Sequence, residues 1–111
     1  MDRLEMFRET IERLLNEYAA IPYAHGKLQA ETVFDRKSDR YLLMVVGWES
    51  GKRVHGCLVH MDIIDGKIWI QRDGTEEGMA VDLVRAGIDK QEIVLAFHPE
   101  HARKYSEYAV A

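Results

Sequence analysis

His60 and Asp62 stand two residues apart in a run of aliphatic residues, a spacing that in a strand turns an imidazole and a carboxylate to the same face. Such a pair could hold a metal ion or pass a proton. The plainer reading is a polar stripe on a half-solvated sheet, with Trp69 and Gln71 across from it, and no third ligand is evident. His98 and His101 are three apart and meet only if their segment is helical, with Pro99 at the first helical position. Otherwise His98 closes a strand and His101 is solvated. His55 falls on the strand parity opposite to His60, so the two are not expected to share a site. Cys57 falls on the core parity and reads as a buried thiol. Gly74-Thr75-Glu76-Glu77-Gly78 lacks the Gly-Lys-Ser/Thr ending of a phosphate loop, and its glutamates would repel an anion. Ser38, Ser50 and Ser106 occupy no strand-to-helix nucleophile elbow. No catalytic, metal or cofactor residues are therefore assigned.

The elements that would carry these residues follow from periodicity. Leu4, Phe7, Ile11, Leu14, Leu15 and Tyr18 recur at steps of three and four and make one stripe of a first helix. Asp2 and Glu5 have capping-box spacing at its start. Pro22 and a turn glycine, Gly26, end it. From Leu28 the period drops to two, with Leu28, Ala30, Thr32 and Phe34 against Gln29, Glu31 and Asp35. Tyr41 to Trp48 is apolar at both parities and reads as an interior strand. Val54 to Ile64 puts Cys57, Val59, Met61 and Ile63 on one parity. Asp65-Gly66 then suits a type I′ hairpin, pairing Met61 with Ile70, Asp62 with Trp69 and His60 with Gln71. A second helix spans Glu76 to Ala86 and stops at Gly87. Asp89-Lys90-Gln91-Glu92 makes one capped turn before a short buried strand, Ile93 to Phe97. The ending, with Tyr108-Ala109-Val110, would dock on the sheet or on a partner. The fold class expected is α+β: helix, four-stranded largely antiparallel sheet, helix, short fifth strand, with the helices packed on one sheet face and residues 1–111 forming one domain.

Composition limits the function classes. The chain has 111 residues, 47% hydrophobic and 31% charged, with 19 acidic against 15 basic side chains and a net charge of −4. That balance argues against direct nucleic-acid binding, which draws on a basic footprint, and of the local basic pairs Arg36-Lys37, Lys52-Arg53 and Arg103-Lys104 two are turns, where solvated charge is ordinary. No apolar stretch approaches the roughly 20 residues that cross a bilayer. The lone Cys57 agrees with a reducing, cytoplasmic location. More informative is apolar material without a home: Leu58 and Trp69 on the non-core parity, plus Trp48, the tyrosines of the tail with Tyr108 among them, and a second strand apolar at both parities. Trp48, Leu58, His60, Asp62, Trp69, Gln71 and Tyr108 are the candidate interaction surface, and self-association is expected.

Taken in order, Asp39-Arg40-Tyr41-Leu42-Leu43, Val46-Gly47-Trp48, Arg53-Val54-His55-Gly56-Cys57, His60-Met61-Asp62-Ile63, Asp65-Gly66-Lys67-Ile68-Trp69-Ile70-Gln71 and Asp73-Gly74-Thr75-Glu76 resemble the XisI family. Leu83-Val84, Ala86-Gly87-Ile88, Ile93 to Pro99 and the ending Tyr108-Ala109-Val110-Ala111 extend the resemblance over essentially the whole chain, with Tyr108 where the family usually has Phe. The resemblance implies a controlling factor for excision of the fdxN element, a DNA segment removed by site-specific recombination in some cyanobacteria. It implies regulation beside a separate recombinase and a nuclease-like XisH companion, not catalysis, and it carries no catalytic residues over. Two readings of a different class stand beside it: a small metal-assisted enzyme on His60 and Asp62 with His98 folded close, and a small-molecule sensor whose pocket is lined by Trp69 and Gln71.

Overall fold

The computed structural model describes residues 2–23 and 27–111. Helix α1 (Arg3–Ala19) is followed by four strands, β1 (Lys27–Asp35), β2 (Arg40–Glu49), β3 (Lys52–Ile64) and β4 (Lys67–Asp73). Then come α2 (Met79–Arg85), a 3-10 turn (Lys90–Glu92), β5 (Ile93–Leu95) and the short α3 (Glu100–Arg103). The strands lie in the order β1-β2-β3-β4-β5. The first four pair antiparallel, as their short connections require. β5 runs parallel to β4, which needs a crossover, and α2 is in that connection. The result is α+β with a five-stranded mixed sheet.

The apolar stripe of α1 buries Phe7, Ile11, Leu14 and Leu15 against Tyr41, Leu43, Val59, Met61, Ile68 and Ile70 of the sheet, and α2 adds Met79 and Leu83. Asp2 caps α1 by accepting from the Leu4 N–H. Glu5 does not complete the expected box: its carboxylate takes Arg36 at 2.7 Å, because a full guanidinium offers a stronger partner than an amide. The box expected at Asp89 does form, with Glu92 reaching back to the Asp89 N–H. The Asp65-Gly66 hairpin has both central residues at positive φ, the type I′ geometry read from the sequence. Gly47 is fixed for another reason: its φ is +147, and a Cβ there would fall 1.9 Å from the Lys27 carbonyl oxygen. The turn glycine expected at Gly26 lies outside the described residues.

Two irregularities rewrite the expected register. Leu43 pairs with Val59 but Met44 pairs with Cys57, so Leu58 is an extra, bulged residue in β3. A one-residue insertion exchanges faces, and Cys57 therefore sits opposite Met44, off the core face, while Leu58 packs against the core cluster. Both reverse the parity expected for them. On β4, Met61 still pairs with Ile70 and Asp62 with Trp69, but His60 faces Arg72, leaving Gln71 as the extra residue. The two helices read from the sequence, α1 and α2, do share one face, and the short α3 borders the other. Arg103 of α3 lies over the Trp69 ring, on the side of the sheet away from α1.

Candidate functional site

The face turned away from α1 carries His55, Cys57, His60, Asp62 and Trp69. The first bulge brings His55, Cys57 and His60 onto this one face, opposite Val46, Met44 and Leu42, where uninterrupted alternation would have separated the two histidines. His60 Nε2 lies 2.8 Å from Asp62 Oδ1, and the Gln71 amide donates to Asp62 Oδ2 at 3.3 Å. The carboxylate is nearly buried and satisfied from both sides. It can orient the imidazole, the role a carboxylate plays in proton transfer. What the dyad lacks is an activated nucleophile: burial pushes the Cys57 thiol up, and its Sγ donates to the Val59 carbonyl at 3.2 Å. His98 packs its ring on Phe97, with centroids 4.6 Å apart. Among the described residues no three His, Cys, Asp or Glu side chains converge in a metal-binding arrangement.

Trp69 is not free surface. Its indole Nε1 is buried with no hydrogen-bond partner among the described residues, and Arg103 covers the ring at 5.5 Å. The same guanidinium donates to the carbonyls of His98, Ala96 and Val110. Arg103 is thus a clasp that holds the C-terminal segment over one end of the face. The tail is fastened further by a bridge between Val94 and Ala109, and Tyr108 packs against the core cluster. Of the residues read from the sequence, His60, Asp62, Gln71 and Trp69 are brought together. Trp48 stands at the other end of β2 from Arg40, the partner of Asp62, and is 52% exposed, and Leu58 and Tyr108 face the interior.

Between the clasp and Trp48 the face is open over β1, β2 and β3. Leu42, Met44 and Val46 form its spine, half-buried by neighbours, with Val33 50% exposed beside them. The spine had a sequence signal, since β2 is apolar at both parities. Val33 had one too, as the only aliphatic residue on the wet parity of β1.

Charge on the rest of the molecule is largely paired. Arg36 binds Glu12 at 2.8 Å and Glu5 at 2.7 Å, Lys90 binds Glu107, Arg3 binds Glu92, and Arg8 binds Asp39 at 2.8 Å. The Arg8 guanidinium, with the Tyr41 hydroxyl, holds the Asp39 carboxyl below the usual carboxylate range. A cavity of about 580 Å³ opens on the helical side, walled by Tyr18, Ile21, Tyr23, Leu43, Leu58 and Thr75. Trp69 and Gln71, the residues expected to line a sensor pocket, are not in its wall.

The XisI protein family model matches residues 1–110. This chain belongs to the XisI family. Among solved structures it is similar to a XisI-like protein from Anabaena variabilis, with 33% identity and a TM-score of 0.89 over 97% of this chain and 99% of that one. It is also similar to the fdxN element excision controlling factor XisI from the same organism, with 31% identity and a TM-score of 0.84 over 99% of this chain and all of that one. A comparison with curated proteins finds no match. The five-stranded mixed sheet and its helices are thus a XisI-like architecture, and no helix among the described residues is long and apolar enough to cross a membrane.

Proposed function

We propose that this XisI family member is a non-catalytic controlling factor of site-specific DNA excision, of the fdxN-element type, and that it acts in the cytoplasm through protein contacts. Its partners are a XisH-type companion and further copies of itself. The observation that carries this reading is the open apolar spine of Leu42, Met44 and Val46, flanked by Val33 and Trp48, on a chain whose arginines are mostly engaged in ion pairs or carbonyl contacts. Apolar sheet surface with an aromatic at its end suits another polypeptide. Phosphate contact needs unpaired cations, and the net charge of −4 opposes it.

The His60–Asp62–Gln71 group serves in this reading as a polar border to that surface, with Asp62 satisfied inside the fold. Co-expression with the adjacent XisH-type protein tests the proposal: a complex that survives size exclusion at micromolar concentration is expected, and Leu42→Lys should lower the number of copies of this chain within it while preserving the circular dichroism melt. Tight, salt-sensitive DNA binding by the isolated chain, with no such complex, would overturn it.

A further inference from the structure

We infer that the open half of the sheet face is closed by a second copy of this chain, stacked face to face about a two-fold axis that passes through Met44 perpendicular to the strands. The inference rests on the protein-contact reading above and names the occupant and geometry of that surface.

The strand pairings arrange the face as a grid. Reading from β1 to β3, its rows are Lys27, Trp48, Arg53; then Gln29, Val46, His55; then Glu31, Met44, Cys57; then Val33, Leu42, His60; and last Asp35, Arg40, Asp62. An axis lying across the strands at Met44 keeps each strand over its counterpart and reverses the order of the rows. Lys27 of one copy then faces Asp35 of the other, and Trp48 faces Arg40, a cation over an aromatic ring. Val46 faces Leu42, and Met44 faces itself. Each of these contacts but the one on the axis occurs twice in such an isologous pair.

The alternative axis, running along β2, keeps the rows and exchanges β1 with β3. Lys27 would then face Arg53 and Asp35 would face Asp62, which sets like charges together at both ends. The charge pattern therefore selects the crosswise axis. Aligned sheets cross at about 30°, which moves the end rows sideways by about one strand spacing, within reach of a Lys or Arg side chain. Glu31 meets its own copy, but at the β1 margin, where water screens the repulsion. The clasped C-terminal segment borders the face beside Trp69, and the reversal of rows carries the partner's segment to the opposite end, so the two do not collide.

Sedimentation and cross-linking test the arrangement. The wild-type chain should sediment as a dimer at about 100 µM, and Lys27→Glu should weaken association about tenfold, a loss of one charge-assisted contact made twice. Asp35→Asn keeps the oxygen that accepts from the Lys37 and Ser38 amides, so its turn survives, and it should weaken association severalfold. Combined, the two changes should cost less than their sum, because they remove the same contact. In a Cys57→Ser background, Met44→Cys should be joined to its own copy by a short bismaleimide that spans the roughly 10 Å between stacked sheets, whereas Val33→Cys, which faces Gln29, should not. A monomer at that concentration would overturn the inference, and so would additive charge variants or equal cross-linking at both positions. Binding of the XisH-type companion by a monomer would sink the dimer, and the self-association with it, and leave the companion part of the proposed function standing. A dimer that ignores the companion would do the reverse.

Discussion

Leu43 and Met44 are adjacent on β2 and similar in size and polarity, yet their surroundings have little in common. Leu43 is 1% exposed, inside the cluster that α1 and α2 close over the sheet. Met44 points the other way, into a face whose far end is sealed by the C-terminal clasp and whose near end ends in exposed Trp48. One face owes its burial to helices specified by their own periodicity. The other is half closed by a tail fixed through one arginine, and its remaining half is apolar without a cover among the described residues. Stability should therefore reside on the first face and association on the second.

The sharpest way to break that contrast is a pair of alanines. Leu43→Ala should cost about 2 to 5 kcal/mol in urea unfolding, through lost contacts and a cavity, while Met44→Ala at dilute concentration should cost under about 1 kcal/mol. Equal losses would mean that the second face is as much a core as the first. The clasp ranks next. Arg103→Ala removes three carbonyl contacts and the cover on Trp69, and about 1 to 3 kcal/mol should be lost. In a Trp48→Phe background the emission of Trp69 should then shift to the red; an unmoved spectrum would show that the tail holds without its arginine.

Acid should act first on the helical side. Asp39 is held below its ordinary pKa chiefly by Arg8, and Glu12 and Glu92 are held down by Arg36 and Arg3. A depressed carboxyl contributes its full stabilisation above the unfolded value, near about 4, and loses it as the pH falls through the folded one. Stability should thus be flat at neutral pH and decline below about pH 4, with Asp39→Asn flattening the decline in acid melts. An undiminished acid limb in that variant would place the sensitivity elsewhere. The smallest effect is expected from Arg36→Ala: both of its carboxylate partners lie at the surface, and the urea midpoint should barely move.

Much of the fold was legible because its signals are local. The stripe from Phe7 to Leu15, the Asp65-Gly66 turn and the Asp89 box each depend on a few neighbouring residues, and each is present as read. The candidate surface was legible in part. Trp48 was found because an apolar residue at a strand end is conspicuous, and His60, Asp62, Trp69 and Gln71 were found together because the hairpin fixes most of their register. Arg103 was missed: beside Lys104 it looks like solvated charge, and nothing nearby in sequence reveals three carbonyls and an indole waiting for it.

The sequence by itself determined which segments become helix and strand, where they turn, and that β2 lies inside the sheet, since periodicity and turn chemistry act over a few residues. Only the tertiary structure decided that Leu58 is the extra residue in β3, and with it that Cys57 leaves the core face and His55 joins that of His60. A bulge is a property of two strands: it arises where neither continuous register buries both ends of the pair, and no single strand encodes that. The parallel placement of β5 and the clasped tail have the same origin, contacts between residues far apart in the chain whose energy exists only once the sheet is assembled.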